Sequence, residues 1–352
     1  MEGNAAAMTK DLPDLARKVR DEVIGPDACF VISPEHPLPT VRRQSSQEKL
    51  RYELFHFVFS VCSQKVRATL AEKLVTYGSN ETSILPPKND NYSPQYVRLR
   101  LTSDAAKKYA PVSSFTGQTS TESEGFDPLV VPTLVDHETG RVLADSKAIC
   151  LHLCKTLKTG TELLPADLEE AIGAQLTIVD VTPHVALLYG ADPDGDRRPA
   201  SMRAVMPGVH KKKIALIEQN MALAADEPQL LQAYIQKIAK EQLASSFVID
   251  AAQMKSSIDR AQDIIINLDN DLKNSGGDWI FGDRFTLADT FWAVSLYRLL
   301  WLGYAGLWTA DRHLPRVENY ANRLFARPSV KNTIILWPGH PPSDTVTHLL
   351  KA

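Results

Sequence analysis

Ser60, Val61, Cys62 and Ser63 form the stretch of this chain best equipped for chemistry. They fall where an alternating, aromatic-rich run, Tyr52 to Phe57, gives way to a helical period through Val66, Leu70 and Leu74. At such a strand-to-helix turn the free N–H groups of the first helical turn and the positive end of the helix dipole stabilise an anion. A cysteine placed there drops from a pKa of about 8.5 into a range of roughly 3.5 to 7.5. The expectation is therefore a thiolate at this spot, either that of Cys62 or that of a bound cosubstrate. A plain helix cap at Ser60 and a small apolar side chain at Cys62 fit the same residues, so the surrounding elements must decide.

Those elements read as follows. Val75 to Ile84 predicts a second strand that completes a βαβ unit, Val130 to Val135 a third, and Arg141 to Ala144 its antiparallel partner across a turn at His137 to Gly140. Asp145 and Ser146 open an apolar helix ending near Leu157. Residues 88–128 are rich in Ser, Thr, Asn and Gly and predict a long loop near the active site. Beyond Gly160 helical periods run through Ala171 to Tyr189, Leu230 to Phe247, Met254 to Leu272 and Leu287 to Leu302. The expected division is an N-terminal extension over 1–48, a first domain over 49–158, an all-helical domain over 162–335 and a tail over 336–352. Residues 190–225, with Ala191 to Asp196 and the run Lys211, Lys212, Lys213, read as a solvated insertion.

Length and composition agree with two domains, at 352 residues, 44% hydrophobic and 23% charged. A formal net charge of −3 argues against nucleic acid or an acidic membrane face as partner and favours a small molecule. No apolar run reaching roughly 18 to 20 residues is evident, and no secretory leader, so the expected location is the cytoplasm, off the membrane. Four scattered cysteines predict reduced thiols. Cys150 and Cys154, one helical turn apart, read as structural, and no metal site is expected.

Three separated motifs carry a resemblance. The Ser60-x-Cys62 turn is followed by Val131-Pro132-Thr133-Leu134, by Ala144-Asp145-Ser146-Lys147-Ala148-Ile149, and by Phe285-Thr286-Leu287-Ala288-Asp289, a capping box at the start of a later helix. The combination resembles the glutathione S-transferase superfamily. It implies an α/β thioredoxin-like N-terminal domain plus an all-α C-terminal domain, with glutathione as cosubstrate and a homodimer. It implies a cis Pro132 that frees the backbone of Val131 for the cysteinyl part of glutathione, and Asp145 and Ser146 at the γ-glutamyl end.

Ser60-x-Cys62-Ser63-x-x-Val66-Arg67 is similar to the zeta class and its reductive dehalogenase relatives, which implies that Ser60 orients the glutathione thiolate and Cys62 acts on sulfur. The reaction so implied is reductive dechlorination of chlorinated hydroquinones, from 2,5-dichlorohydroquinone to chlorohydroquinone and hydroquinone, through a glutathionyl conjugate and a mixed disulfide on Cys62. In that family the first long helix of the second domain lines the substrate cavity, which would put His184 and Tyr189 there; Tyr297, Arg298 and Trp301 on the Leu287 helix read as either core or pocket wall. Two other readings stay open. One is a zeta-type glutathione-dependent cis-trans isomerase of maleyl-type acids, using Arg67, Arg98 and Arg100 for carboxylates. The other is a non-catalytic glutathione-fold interaction module with a solvent-facing Cys62.

Overall fold

The computed structural model describes residues 14–39, 49–309 and 313–351. Its centre is a five-stranded sheet in the order β1-β3-β2-β4-β5. The strands are β1 (Cys29–Ile32), β2 (Tyr52–His56), β3 (Tyr77–Glu81), β4 (Thr133–Asp136) and β5 (Arg141–Ala144). β2 and β3 run parallel, joined by α1 (Val61–Glu72), while β4 and β5 form the antiparallel hairpin read from the sequence. β1 was not foreseen. The expected extension instead pairs antiparallel with β3, Cys29 opposite Asn80 and Ile32 opposite Tyr77, and so covers an otherwise open sheet edge. Four consecutive apolar residues, Cys29-Phe30-Val31-Ile32, have the composition of a strand, and the prolines read as a loose extension come after it.

The polar stretch 88–128 is also more ordered than its composition predicts. It holds α2 (Pro94–Leu101) and short helical turns at Asp104–Lys108 and Thr121–Glu124. Ser93, Ser103 and Ser120 cap the three, accepting from the N–H groups of Tyr96, Ala106 and Ser123. The serines that made the segment look like a loop are the start signals of its helices.

α3 (Ser146–Thr156) closes the first domain, and the remainder is helical. α4 (Glu169–Asp180) and α5 (His184–Tyr189) are separated by Thr182 and Pro183, where one continuous helix had been expected. The stretch Ala166–Tyr189 is long and apolar enough by length and composition to cross a membrane, contrary to the sequence reading. Here it is interrupted, and Ile172, Leu176, Val179, Ala186 and Leu187 are buried in the protein core. Then follow α6 (Val209–Ala222), α7 (Pro228–Phe247), α8 (Ala251–Ser275), α9 (Leu287–Trp301) and α10 (Pro315–Ala326). α9 is buried on every face, with Leu300 alone less covered, and packs against both α1 and α4. Its capping box is formed, Asp289 accepting from the Thr286 N–H at 2.7 Å.

The presumed solvated insertion 190–225 contains α6, which packs on α7. Lys211 and Lys212 are exposed, but Lys213 is buried, so the charge run is split by the helical period. α6 and α7 share a small apolar core with the ordered polar stretch, in which Tyr92, Val97 and Leu129 meet Ile217, Leu230 and Tyr234. Two segments that looked like decorations of separate domains therefore pack on each other.

Candidate functional site

A cavity of about 230 Å³ lies between the start of α1 and the helices α5, α6 and α7, with the 88–128 stretch on its side. Ser60, Cys62, Val131, His184, Tyr189 and Arg298 all line it. β2 ends at His56, and Ser60 caps α1 in an extended conformation, its hydroxyl accepting from the Ser63 N–H at 3.3 Å. Both Ser60 and Cys62 are half-buried.

The Cys62 thiol does not behave as helix position alone predicts. Burial pushes it up, and the nearby Lys65 ammonium offsets only part of that. Lys65 itself is fully buried and bound to Asp180 of α4 at 2.6 Å, so its field is shared with a carboxylate. The Ser146 side chain, at the start of α3, also offsets a little of the rise.

The Val131-Pro132 peptide is cis. The β4 ladder begins only at Thr133, so Val131 stands at the cavity wall outside the strand pairing. Asp145 precedes α3 at φ 89° and ψ 119°, a region where a residue with a Cβ is strained. Its carboxylate accepts from the Ala148 N–H at 2.8 Å and from the Thr121 hydroxyl at 2.7 Å, and Thr121 is on the cavity lining. Asp145 and Ser146 thus stand one residue behind the wall.

Farther along, His184 bonds the Ser295 hydroxyl through Nε2 at 2.9 Å, and its Nδ1 has no partner among the described residues. Burial, then Lys65 and Arg298, push its pKa well below the usual histidine range, so the ring is neutral. Arg298 is buried with its guanidinium 3.7 Å over the Phe59 ring, donating to the Phe59 carbonyl. Its Nε is without a partner and no carboxylate is paired with it among the described residues. Burial brings this arginine down to about 9, with Tyr297, Cys62 and Tyr189 opposing the fall. Tyr297 itself is not on the wall. One step of about 100° around α9 turns it into the core, edge-on to Phe325 and His340. The Pro-rich tail does reach the site: Pro341 lines the cavity and His340 packs edge-on against Phe59 at 4.8 Å.

The other end of the cavity escaped the sequence reading. Lys237 on α7 binds Asp127 at 2.8 Å and Glu241 at 3.1 Å, and Lys240 binds Glu124 at 2.8 Å. Lys213 on α6 donates to the Tyr189 hydroxyl at 2.7 Å, and His210 holds Glu241 through Nδ1 at 2.7 Å. Burial alone would raise Asp127, but Lys237 and Lys240 bring it to about 2. The available signal was the spacing of His210 with Lys213 and of Lys237 with Glu241, one helical turn each, which marks a shared face but not what that face meets.

The three arginines named for the isomerase reading are all engaged with other protein groups, and of them Arg100 is on the cavity lining. Arg67 donates to the carbonyls of Thr333, Phe57 and Val58, Arg98 pairs with Glu227, and Arg100 donates to the carbonyls of Asp127 and Pro132. Cys150 and Cys154 are buried, with burial raising Cys154 to about 12.

Residues 59–156 match the glutathione S-transferase N-terminal domain family. The 2,5-dichlorohydroquinone reductive dechlorinase of Sphingobium indicum is 65% identical over 97% of this chain and 99% of its own length. A human protein, ganglioside-induced differentiation-associated protein 1-like 1, is 23% identical over 86% of this chain and 76% of its own. Among solved structures, a β-etherase from a Sphingobium species superposes with a TM-score of 0.54 at 16% identity, covering 81% of this chain and 98% of that one. A glutathione transferase from Populus trichocarpa gives 0.52 at 15% identity, with coverages of 81% and 98%. At such identities these two likenesses concern the fold alone.

Proposed function

This chain belongs to the glutathione S-transferase family, and on that premise we propose that it catalyses glutathione-dependent reductive dechlorination of 2,5-dichlorohydroquinone and its monochloro product. The observation that carries the reading from the site is Cys62, half-buried beside Ser60 in a cavity that also receives Val131 from the cis turn. Glutathione fits this corner. Val131 would pair with its cysteinyl backbone, the start of α3 with Ser146 would take its α-carboxylate, and Asp145 would face its ammonium.

The chemistry needs two thiols per chlorine. Ser60 holds the glutathione thiolate, which displaces chloride from the keto tautomer of the ring, because the electron-rich aromatic form resists attack. The Cys62 thiolate then attacks the sulfur of the conjugate, the carbon–sulfur bond breaks, and the ring carbon takes a proton. A mixed disulfide remains on Cys62 until a second glutathione releases it as glutathione disulfide. The ring gains two electrons, which the two glutathiones supply. A thiol raised by burial is suited to the second role rather than the first, since it stays protonated until the conjugate sulfur is beside it.

The occupied arginines give the isomerase reading no support from the site, and Cys62 inside a cavity does not fit a non-catalytic module. The deciding experiment supplies glutathione and 2,5-dichlorohydroquinone and follows chloride, aromatic products and glutathione disulfide by mass spectrometry. The parent protein is expected to release chloride stepwise. Cys62→Ala is expected to stop after the first displacement and accumulate glutathionyl hydroquinone, with loss of reduced product by at least about 10³-fold. No chloride from the parent would reject the reading.

A further inference from the structure

We propose that His210, held by Glu241, is the base that takes the hydroxyl proton of the phenolic substrate at the far end of the cavity from Cys62. This inference rests on the dechlorination reading for its substrate and concerns residues that the thiol chemistry does not use.

Glu241 is buried and contacts Lys213 at 3.6 Å and Lys237 at 3.1 Å. Burial opposes its ionisation, yet the two lysines hold it well below the usual carboxylate range, so it is ionised and only accepts hydrogen bonds. Its bond to His210 at 2.7 Å therefore places a proton on Nδ1 of the imidazole. In the neutral ring Nε2 is then a lone pair. That atom is buried and has no partner among the described residues, and His210 lines the cavity. An unpartnered acceptor in such a place costs stability unless a ligand donates to it. A hydroquinone hydroxyl is a donor of the right kind, and Tyr189, its ring 5.0 Å from the imidazole and its hydroxyl accepting from Lys213, gives an aromatic wall beside it.

The step is a proton transfer. The O–H bond breaks, its electron pair stays on the substrate oxygen, and Nε2 gains the proton to form an imidazolium ion-paired with Glu241. The phenolate so formed has raised electron density on its ring carbons, and the imidazolium gives the proton to a ring carbon, which completes the enol-to-keto shift and restores the neutral base before chloride leaves. Of the titratable groups around this imidazole, Glu241 on α7 bonds it and Tyr189 on α5 packs beside it; Lys213 on its own helix and Lys237 on α7 hold Glu241, and Tyr92 from the 88–128 stretch is in electrostatic reach of those three.

The test uses His210→Asn, whose amide nitrogen takes the place of Nδ1 and can donate to Glu241, with His210→Gln as the second variant. Thermal unfolding and calorimetric glutathione binding establish that both are folded. The ultraviolet difference spectrum of 2,5-dichlorohydroquinone bound without glutathione is titrated with pH, alongside the pH profile of chloride release with glutathione. Expected are phenolate absorbance at lower pH on the parent than on either variant, a fall in kcat of about 10²-fold, and loss of the acid limb of the profile, with unchanged affinity for glutathione. Chloride release with the same profile and the same phenolate spectrum in parent and variants would overturn the proposal and leave the dechlorination reading standing. A His210-dependent phenolate on a parent that releases no chloride would support the base and reject dechlorination.

Discussion

At the Cys62 end of the cavity the polar groups are short of partners, whereas at the Asp127 and Glu241 end nearly all of them are matched. Among the described residues Arg298 lacks a carboxylate and leaves Nε unbound, His184 leaves Nδ1 unbound, and Gln118 leaves Oε1 unbound. Across the cavity Lys237 touches two carboxylates, Lys240 two, and Glu241 is shared by His210, Lys213 and Lys237. On the lining near that second cluster, Nε2 of His210 and Oδ1 of Asn91 are the positions left open among the described residues. The difference teaches where to look for chemistry in a charged pocket. A saturated ion-pair network holds helices in place, and the groups poised to meet a ligand are those left with an open hydrogen-bonding position.

Breaking the matched end should cost the most. Asp127→Asn removes the carboxylate from buried Lys237 and is expected to destabilise the fold by about 3–5 kcal/mol, read by denaturant unfolding. The same acid gives a pH signature. Its folded value of about 2 lies below its ordinary 3.8, so its contribution is present above the ordinary value and is lost as pH falls towards the folded one. The parent should show that loss and Asp127→Asn should not. If the variant unfolds with parental stability, the matched end is not the structural one.

At the unmatched end the balance should reverse. Arg298→Leu removes a buried charge that has no acidic partner, so thermal stability is expected to hold or rise while kcat/KM for the hydroquinone falls by about 10- to 100-fold, from a lost charge-assisted bond to substrate oxygen. A fall in stability with kcat/KM intact would make Arg298 a structural residue. Ser60→Ala sharpens the picture on a smaller scale, costing about 1 kcal/mol for the lost cap together with a weaker hold on the glutathione thiolate, visible as a higher thiol pKa in the binary complex by absorbance. Smallest is the behaviour of Cys62 without glutathione. Its alkylation by iodoacetamide at neutral pH should be slower than that of an unperturbed thiol and should keep rising with pH beyond the ordinary cysteine range. Rapid, pH-independent alkylation would mean that the helix dipole outweighs burial.

Much of the thiol end was legible in the residue order. A strand, a Ser-x-Cys turn and an amphipathic helix are local patterns, as are a Val-Pro before a strand, a hairpin, and an Asp-Ser before a helix. Each depends on neighbours a few residues away, which is why the starts of α1 and α3 and the β4–β5 hairpin fall where the spacing put them. The division into domains was less legible. Cys29–Ile32 looked like part of an extension because a strand at a sheet edge is defined by its partner, here β3, and not by its own four residues.

Sequence by itself determined the turn at Ser60 and Cys62, the Val-Pro strand start, the helix cap at Asp145 and the capping box at Thr286, because capping and turn chemistry act over three or four residues; that Pro132 is cis came from the family resemblance. Tertiary structure alone decided the charge state and purpose of what those motifs meet. Cys62 carries a raised thiol because the protein buries it beside a Lys65 already bound to Asp180, three helices further along the chain. Lys213 is a buried donor while Lys212 is solvated, and His210 faces a cavity with one nitrogen engaged and one free. Burial and long-range pairing set these properties, since the free energy of a charge depends on the dielectric and the partners around it and these come from segments far apart in the chain.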